Sequence, residues 1–338
     1  IVEGGFDRDS LTDNLTVTGD VVIEDGGKIG DQNGGSAETG ANTFGSLTIN
    51  SGGTYDATSG TTTITDENSS NYAIQNNGTF THNSGTVSIE TADHTSMAWS
   101  SASQRFNNLT INLGASGRSF TQASGFGDTD NKYIEGDLQI TNSTYNVNNQ
   151  ELRVDGDVTL STNAVLNGAT GDVKFGSLTI NSGTTYNATS GTTTITKDSG
   201  AGSSSNRAAF CHASGTFTHN NGLFKTTQGN ADVEFTSQSE TNNPFYNFEA
   251  TQYAIAATAP WVVLNNMTIA NGFQFNGGTG YAKVYGIMKQ TGGTYNASDV
   301  SSSTNHFFNH YRLEGGTLDL SNIDITVGSI RNTGGTIT

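Results

Sequence analysis

The sequence predicts an all-β protein, a right-handed parallel β-helix (β-solenoid) that forms a single elongated rod. Three observations carry this prediction. The segment Phe44–Thr65 returns at Phe175–Thr196 with 20 of 22 positions identical. Short segments of alternating apolar and polar residues recur along the chain, divided by Gly, Asn or Ser, and helical spacing of apolar residues is rare. A repeat of this kind indicates a stack of similar coils.

Each copy of the repeat contains three short strand patterns, which in the first copy are Leu47–Ile49, Thr54–Ala57 and Thr61–Thr65. Apolar residues at alternate positions, such as Leu47 and Ile64, are expected to face a narrow core, and the intervening Thr residues are expected to face water. Gly and Asn are expected at turns with positive φ, where Asn side chains can stack into ladders.

Hairpins are the other arrangement open to strands this short. Dipeptides suited to two-residue turns occur at Asp25-Gly26, Asn77-Gly78 and Asn167-Gly168, but not systematically. The recurrence of the repeat after 131 residues favours stacked coils instead. Coils of roughly 22 residues, spaced by about 4.8 Å, predict about 15 coils and a rod on the order of 70 Å long.

The repeat also organises the chain at longer range. GTFTHN follows both copies, at Gly78–Asn83 and Gly215–Asn220, although a longer loop precedes it the second time. NNLTI at Asn107–Ile111 matches NNMTI at Asn265–Ile269, and a degraded third copy begins at Gln290. We therefore predict an acidic N-terminal start over 1–43, a first superunit over 44–174, a second over 175–289, and a partial, open-ended third over 290–338.

Composition limits the class of protein. Charged residues make up 13% and hydrophobic residues 32% of the 338 positions, and both values are low for a globular domain. Disorder usually brings high charge and much Pro, whereas this chain has two prolines and regularly spaced β-branched and aromatic residues. A long structure with a narrow core accounts for both observations.

The net charge of −17 disfavours nucleic acid and anionic membrane surfaces as partners. Nine acidic residues precede residue 40, and the one cysteine, Cys211, cannot form an internal disulfide. We find neither a signal-peptide pattern nor an apolar run long enough for a transmembrane helix. Because the chain opens on Ile1 and closes within GGTIT, we expect both ends to be cuts through a longer repetitive or processed protein.

The sequence assigns no catalytic, cofactor-binding or metal-ligating residue, and we predict that the protein is not an enzyme. His82 and His219 share the GTFTHN context but lie a superunit apart, which indicates surface or corner histidines. His306 and His310 are spaced as on a helix, but their Gly- and Ser-rich surroundings predict a loop.

Two acidic segments can be compared with known types of cation-binding loop. Asp128, Asp130, Asn131 and Glu135 loosely match an oxygen-rich Ca²⁺ loop, but the glycine and the twelfth-position Glu of an EF-hand are missing. Asp155 and Asp157 match such a loop less closely. We expect no bound cation at either.

Aromatic and hydroxyl residues suggest binding faces. Trp99 and Trp261 are expected to fill the core or plug loops rather than to serve as carbohydrate platforms. The runs Thr61–Thr65 and Thr192–Thr196 suggest a threonine lattice of the ice-binding kind, but only a few coils carry them. Asn-x-Ser/Thr sites are numerous and are attributed to composition; examples are Asn14, Asn108, Asn187, Asn266 and Asn296.

At Gly78–Glu90 (GTFTHNSGTVSIE), Phe106–Asn112 (FNNLTIN) and Gly292–Ser298 (GGTYNAS), the chain resembles the β-strand-repeat solenoids of large bacterial surface adhesins and of phage virion proteins. The resemblance covers most of 15–338. It implies a parallel β-helix that acts as a stalk, fibre or adhesive surface, and it supplies no catalytic residues. Segments Glu90–Arg105 and Thr236–Pro260 depart from the pattern, so we expect any specific binding loop there.

We therefore expect a structural and adhesive solenoid, part of a fibre, filament, surface appendage or virion, located outside the cell, on the cell surface or on a virion. The alternatives are a carbohydrate-active β-helix such as a tailspike depolymerase, which would need carboxylates converging in a groove, and an ice- or surface-binding solenoid. Expected partners are further copies of the chain, joined end to end or as a homo-oligomer, other appendage or virion subunits, and a glycan or cell-surface receptor. Nucleic acid and membrane insertion are not expected.

Overall fold

The structure, a computed structural model, is an all-β parallel solenoid of about 12 turns. It describes residues 1–6, 12–30, 38–100, 104–124, 126, 131–197, 209–229, 231–235, 238–257, 260–276, 281–296, 305–321 and 324–338. These residues contain no helix. The chain divides into two compact units, unit 1 (Ile1–Gly171) and unit 2 (Asp172–Thr338).

Unit 1 contains eighteen short strands. They are β1 (Gly5–Phe6), β2 (Leu15–Val17), β3 (Val21–Ile23), β4 (Lys28–Ile29), β5 (Asn42–Phe44), β6 (Leu47–Ile49), β7 (Thr54–Asp56), β8 (Thr61–Ile64), β9 (Tyr72–Asn76), β10 (Thr79–Thr81), β11 (Thr86–Ile89), β12 (Thr95–Trp99), β13 (Asn108–Ile111), β14 (Ser119–Gln122), β15 (Leu138–Thr141), β16 (Thr144–Asn146), β17 (Leu152–Ser161) and β18 (Val165–Asn167), counted over the described residues.

Unit 2 contains the remaining strands of the described chain. They are β19 (Val173–Ile180), β20 (Thr185–Asn187), β21 (Thr192–Ile195), β22 (Phe210–His212), β23 (Thr216–Thr218), β24 (Leu223–Thr226), β25 (Ala231–Phe235), β26 (Asn247–Ala250), β27 (Ala254–Ala257), β28 (Trp261–Val263), β29 (Met267–Ile269), β30 (Phe273–Asn276), β31 (Ala282–Gln290), β32 (Thr294–Asn296), β33 (Asn305–Leu313), β34 (Thr317–Leu318), β35 (Asp324–Asn332) and β36 (Thr336–Ile337).

In unit 1 the strands form three parallel stacks. The first stack runs β2–β5–β8–β11–β13–β15–β17. The second runs β3–β6–β9–β12–β14–β16–β18, and the third runs β1–β4–β7–β10. Every one of these pairings is parallel, so the coiled arrangement is confirmed and hairpin pairing is excluded among them.

Unit 2 is built in the same way. One stack runs β19–β21–β24–β26–β29–β31–β33–β35. In a second stack, the C-terminal half of β19 pairs with β22. That stack then continues β22–β25–β27–β30–β32–β34–β36. Strand β28 pairs with β31, and β20 pairs with β23, again in parallel.

The two near-identical segments form equivalent rungs within their own units. Tyr55 pairs with Phe80 in the first copy, as Tyr186 pairs with Phe217 in the second. In both copies the tyrosine hydroxyl lies 2.7 Å from the hydroxyl of a buried threonine, Thr62 or Thr193. The second threonine of TTTIT therefore faces the core and supplies the hydrogen bond that a buried tyrosine hydroxyl requires.

The prediction of about 15 coils was wrong, because the turns are longer than expected and vary in length. Thr43 pairs with Thr63, 20 residues later, whereas Leu178 pairs with Phe210, 32 residues later. Insertions between strands are tolerated because the strands, and not the turns, define the stack.

The NNLTI and NNMTI segments, which match in sequence, do not occupy equivalent turns of the two units. Leu109 pairs with Val87, and the repeat-equivalent of Val87 is Phe224, which pairs with Phe248. Met267 pairs with Phe248 and so lies one turn further on. The structural counterpart of NNLTI is therefore YNFEA at 246–250, where sequence identity has almost vanished.

The core of unit 1 is a ladder of inward side chains along its first stack. Complete burial of an aliphatic side chain contributes about 1.5–3 kcal/mol, so six consecutive buried rungs are a major stabilising element. The ladder comprises Phe44, Ile64, Ile89, Ile111, Ile140 and Leu160, all 0% exposed.

Asparagine dominates the corners, as expected. Ten of the fourteen described non-glycine residues with positive φ are Asn, the residue type that best tolerates this conformation after Gly. The predicted ladders occur too: the Asn167 amide donates to the Asn146 carbonyl oxygen at 2.8 Å, and the Asn265 amide donates to that of Asn247 at 3.0 Å.

Glycine is required where successive rungs approach most closely. A Cβ added at Gly85 would lie 2.1 Å from the carbonyl oxygen of Thr58, and one added at Gly222, its repeat-equivalent, would lie 2.1 Å from that of Thr189. A side chain at either position would push the rungs apart.

We expect Gly85→Ala to lower the free energy of unfolding by about 1–3 kcal/mol through this overpacking. Urea denaturation followed by fluorescence of the buried Trp99 and Trp261 measures the change. Gly117→Ala is the matched control, because no atom lies within 4 Å of its added Cβ. Equal stability of the two variants would contradict the proposed close approach.

Candidate binding faces

The side chains that alternate with the core residues of the first stack of unit 1 align from rung to rung into a column, and all of them are partly or fully exposed except Ser88, which is 5% exposed. Thr63 on β8 pairs with Thr43 on β5 and with Ser88 on β11, and Ser88 pairs with Thr110 on β13. We call the full set the hydroxyl column: Thr16, Thr43, Thr63, Ser88, Thr110, Gln139 and Thr159. The threonine run thus belongs to a seven-rung feature, longer than the few coils expected from TTTIT alone.

Most hydroxyls of this column form no hydrogen bond with a described residue. Ser88 is the exception, since its Oγ donates to a carboxylate oxygen of Glu90 at 2.7 Å. By contrast, threonines at the strand ends bond back to the preceding rung, as Thr65 does to the Phe44 carbonyl oxygen and Thr196 to that of Phe175. The column hydroxyls therefore remain available to solvent or to a ligand.

Unit 2 carries a column of a different character. Along the stack from β19 to β35, the outward position on successive rungs is frequently charged, although Thr194 and Thr268 interrupt it. We call this set the charged column: Lys174, Thr194, Lys225, Glu249, Thr268, Lys289, Arg312 and Arg331. Cations thus occupy five of its eight rungs.

Acidic partners neutralise part of the charged column. The Lys225 ammonium lies 2.9 Å from a Glu249 carboxylate oxygen. Glu314 contacts two cations, the Lys289 ammonium at 3.1 Å and the Arg312 guanidinium at 2.6 Å. The hydrogen bond from Lys289, assisted by the Arg312 charge, lowers the pKa of the Glu314 carboxyl, so Glu314 is ionised at neutral pH.

A second charged cluster lies on unit 1 around Tyr133. The guanidinium groups of Arg105 and Arg153 both lie over its ring, at 4.4 and 3.9 Å from the ring centroid. Each arginine also pairs with a carboxylate, Glu135 at 2.6 Å and Asp155 at 2.7 Å. Cation–π contacts of this kind contribute about 0.5–2 kcal/mol each, which indicates a stabilising role.

The suggested cation segments do not assemble into a site among the described residues. Asp128 and Asp130 lie outside the described residues, and Asn131 occupies a turn with φ of 52°. Glu135 is engaged by Arg105, and by His82 at 3.3 Å. The described part of the chain contains no group of three or more His, Cys, Asp or Glu placed to hold a metal ion.

Asp157 has a structural role. Its backbone N–H donates to the Asp137 carboxylate at 2.8 Å, which links successive rungs. Two of the Asn-x-Ser/Thr asparagines act similarly: the Asn108 carbonyl oxygen accepts from the Asp137 N–H, and that of Asn266 accepts from the Ile287 N–H, both at 2.9 Å. These side chains join neighbouring turns.

The histidines fall into two groups. His82 and His219 sit at equivalent corners, where each Nδ1 accepts the N–H two residues on, so their corner placement is confirmed. The loop predicted around His306 and His310 was wrong, because both lie on β33. The pairing of β33 with β31 shifts register between Val284 and Ile287, opposite Phe308 and His310, and across this shift His306 is buried and His310 exposed.

Buried His306 belongs to a polar group inside unit 2. Its Nδ1 lies 2.9 Å from the Tyr295 hydroxyl and accepts the Ala282 N–H at 3.3 Å. Burial lowers the pKa of His306 to about 4, so the imidazole is neutral at physiological pH. No pattern in the sequence indicates that His306 is buried, because the phase of the strand at 306–310 depends on the register shift.

Both tryptophans are core residues, as expected. Trp99 is 0% and Trp261 1% exposed. Trp99 packs on Phe106 with ring centroids 4.6 Å apart, and Trp261 packs on Phe248 at 4.9 Å. Burial excludes their use as carbohydrate platforms.

The segments that depart from the repeat pattern contribute internal braces. The Gln104 side-chain oxygen accepts the Phe80 N–H at 2.7 Å, and the Asn243 side-chain oxygen accepts the Phe217 N–H at 2.8 Å. Phe80 and Phe217 are repeat-equivalent, so two dissimilar segments supply the same hydrogen bond. The described parts of these segments therefore support the stack, and a binding loop within them stays a prediction.

Comparison of the chain with protein-family models, with curated proteins and with solved structures finds no match. Among the described residues, no helix is sufficiently long and apolar to traverse a membrane.

His306 should make stability depend on pH. Its pKa is about 4 in the folded chain and about 6.5 when unfolded, so the unfolded chain binds more protons between these values. The contribution of neutral, buried His306 to the free energy of unfolding is therefore complete above pH 6.5. It decreases as the pH falls to 4, by about 3 kcal/mol at most.

We expect His306→Gln to flatten the pH dependence of the free energy of unfolding between pH 4 and 6.5, measured by urea denaturation. His310→Gln, at an exposed position on the same strand, is the control and should retain the wild-type slope. If the free energy of unfolding changed equally with pH in both variants, the lowered pKa of His306 would be contradicted. Because burial also lowers the pKa of His212 and His219, the difference between variants is the relevant quantity.

Proposed function

We propose that the protein is a structural and adhesive β-solenoid, an element of a fibre, filament, surface appendage or virion that acts outside the cell. One observation carries the adhesive part of the proposal: outward side chains align rung after rung into straight columns, seven rungs long in unit 1 and eight in unit 2. A straight periodic row suits contact with an extended repetitive partner.

Two further properties support the structural part. Within each unit the described rungs stack so that each buries the one before it, and stability therefore derives from neighbour contacts and tolerates variable turns. A net charge of −17 with one cysteine suits an exposed protein that resists nonspecific association. The resemblance to bacterial adhesin and phage fibre repeats fits the same proposal.

Immunogold electron microscopy on intact cells and particles of the source organism tests this location. An antibody against the purified chain should label the outer surface without permeabilisation. Antibody against an abundant cytoplasmic protein controls for leakage. Label that appears only after permeabilisation would contradict the proposal.

The hydroxyl column favours a second candidate, binding to ice or another crystal surface. Its hydroxyls recur at the rung spacing of about 4.8 Å, and most of them are unbonded to described residues. This candidate predicts that the chain slows ice growth and that Thr63→Lys/Thr110→Lys abolishes the effect, as seen by cryomicroscopy of single crystals. Thr79→Lys/Thr81→Lys, at exposed positions on β10, should remain active. Unimpeded growth with the wild-type chain would exclude it.

A further inference from the structure

We infer that the charged column of unit 2 binds a linear acidic polysaccharide, whose carboxylate or sulfate groups lie along the column. This inference rests on the adhesive function proposed above and names its ligand class.

Charge is distributed very unevenly between the units. Unit 1 contains 6 Lys and Arg against 21 Asp and Glu, a net charge of −15, whereas unit 2 contains 8 against 10, a net charge of −2. Five of the eight basic residues of unit 2 lie on the charged column. Random placement on a surface would not collect them in one row, so the column is a distinct electrostatic feature.

Three of these cations occupy consecutive rungs. Lys289 pairs with Arg312, which pairs with Arg331, and strands in a sheet lie about 4.8 Å apart. Like charges directly opposite one another destabilise a sheet. A bound row of anions would remove that repulsion, so the arrangement favours a ligand with regularly repeated negative charge.

The column keeps surplus positive charge after its own acids are counted. Glu249 neutralises Lys225, and the single carboxylate of Glu314 serves both Lys289 and Arg312. Arg331 is exposed and forms no ion pair with a described residue. The surplus therefore lies at the Lys289–Arg312–Arg331 end of the column.

Uncharged hydroxyl groups flank that end. Thr291 and Thr333 follow the strands on one side, and each donates to a carbonyl oxygen of the preceding rung. Ser329 lies on the other side, 2.8 Å from the exposed His310 ring. These hydroxyl and imidazole groups can form hydrogen bonds with sugar hydroxyls, while the cations beside them pair with the anionic groups of the same polymer.

A polysaccharide fits these observations better than two other polyanions. Among the described residues of unit 1, acidic residues lie mostly between strands, and the adjacent pair Asp137 and Asp157 gives a second copy a row of only two carboxylates. Double-stranded nucleic acid is broad and carries one negative charge per about 1.7 Å of helix axis, so it would also meet the acidic surface beside the column on a chain with net charge −17. An extended polymer contacts only the column itself and avoids the acidic surface elsewhere.

Binding of the full chain to polygalacturonate and to dextran sulfate tests the inference, with uncharged dextran and double-stranded DNA as comparisons, by affinity electrophoresis. We expect retention by at least one acidic polysaccharide and none by dextran. With three ion contacts, an increase in salt from 50 to 200 mM should weaken binding roughly 20-fold. Preference between the two probes identifies the anionic group.

Two variants test the column directly. Lys289→Gln/Arg312→Gln/Arg331→Gln should weaken binding by at least about tenfold, whereas the control Lys28→Gln/Lys197→Gln/Lys283→Gln removes the same charge elsewhere and should change it less than about threefold. Glu314→Gln should strengthen binding several-fold, because it releases two cations. If the charged column had only a structural role, Glu314→Gln would not strengthen binding. Circular dichroism verifies that each variant is folded.

Four results would overturn the inference: no retention by either acidic polysaccharide, equal retention by dextran, equal losses in the two triple variants, or tighter binding of DNA than of both polysaccharides. All are measured on the purified chain. They are therefore independent of the immunogold result, and failure of this inference is distinguishable from failure of the proposed location.

Discussion

In-register parallel stacking is the constraint on which the rest of this structure depends. Each rung satisfies the backbone hydrogen bonds of the next, and the inward residues form continuous ladders such as the one from Phe44 to Leu160. Close approach of the turns excludes a side chain at Gly85 and at its equivalent Gly222. Buried tyrosines are tolerated because partners such as Thr62 lie at a fixed place within the stack.

The same constraint arranges the surface. A residue that faces outward on one rung has an outward neighbour at the same position on the next, so residue types accumulate in columns. Hydroxyl side chains occupy six of the seven rungs of one such column in unit 1, and cations occupy five of the eight rungs of one in unit 2. Thr63 and Thr194 occupy equivalent positions in the repeat, yet the first lies among hydroxyls and the second among lysines. The chemical difference between the two columns therefore lies in the rungs outside the repeated segments.

Local pattern was sufficient to predict the fold class, the alternation of core and surface residues and the corner asparagines. It was insufficient for register, because turns such as the one between Leu178 and Phe210 vary in length and nothing local specifies which residues meet. The charged column could not be predicted for that reason: Lys225, Lys289 and Arg331 are far apart in sequence and have unlike surroundings. His306 was misassigned because a register shift, invisible in the sequence, determines which side of β33 faces inward.

Disulfide cross-linking in a Cys211→Ser background tests the stacking register most directly. Cysteines replacing Lys289 and Arg312, 23 residues apart and on adjacent rungs, should form a disulfide on mild oxidation, because adjacent strands lie about 4.8 Å apart. Cysteines replacing Lys289 and Arg331, two rungs apart at about 10 Å, lie beyond disulfide reach and should not. Equal cross-linking of both pairs, or cross-linking of the second pair alone, would contradict the account.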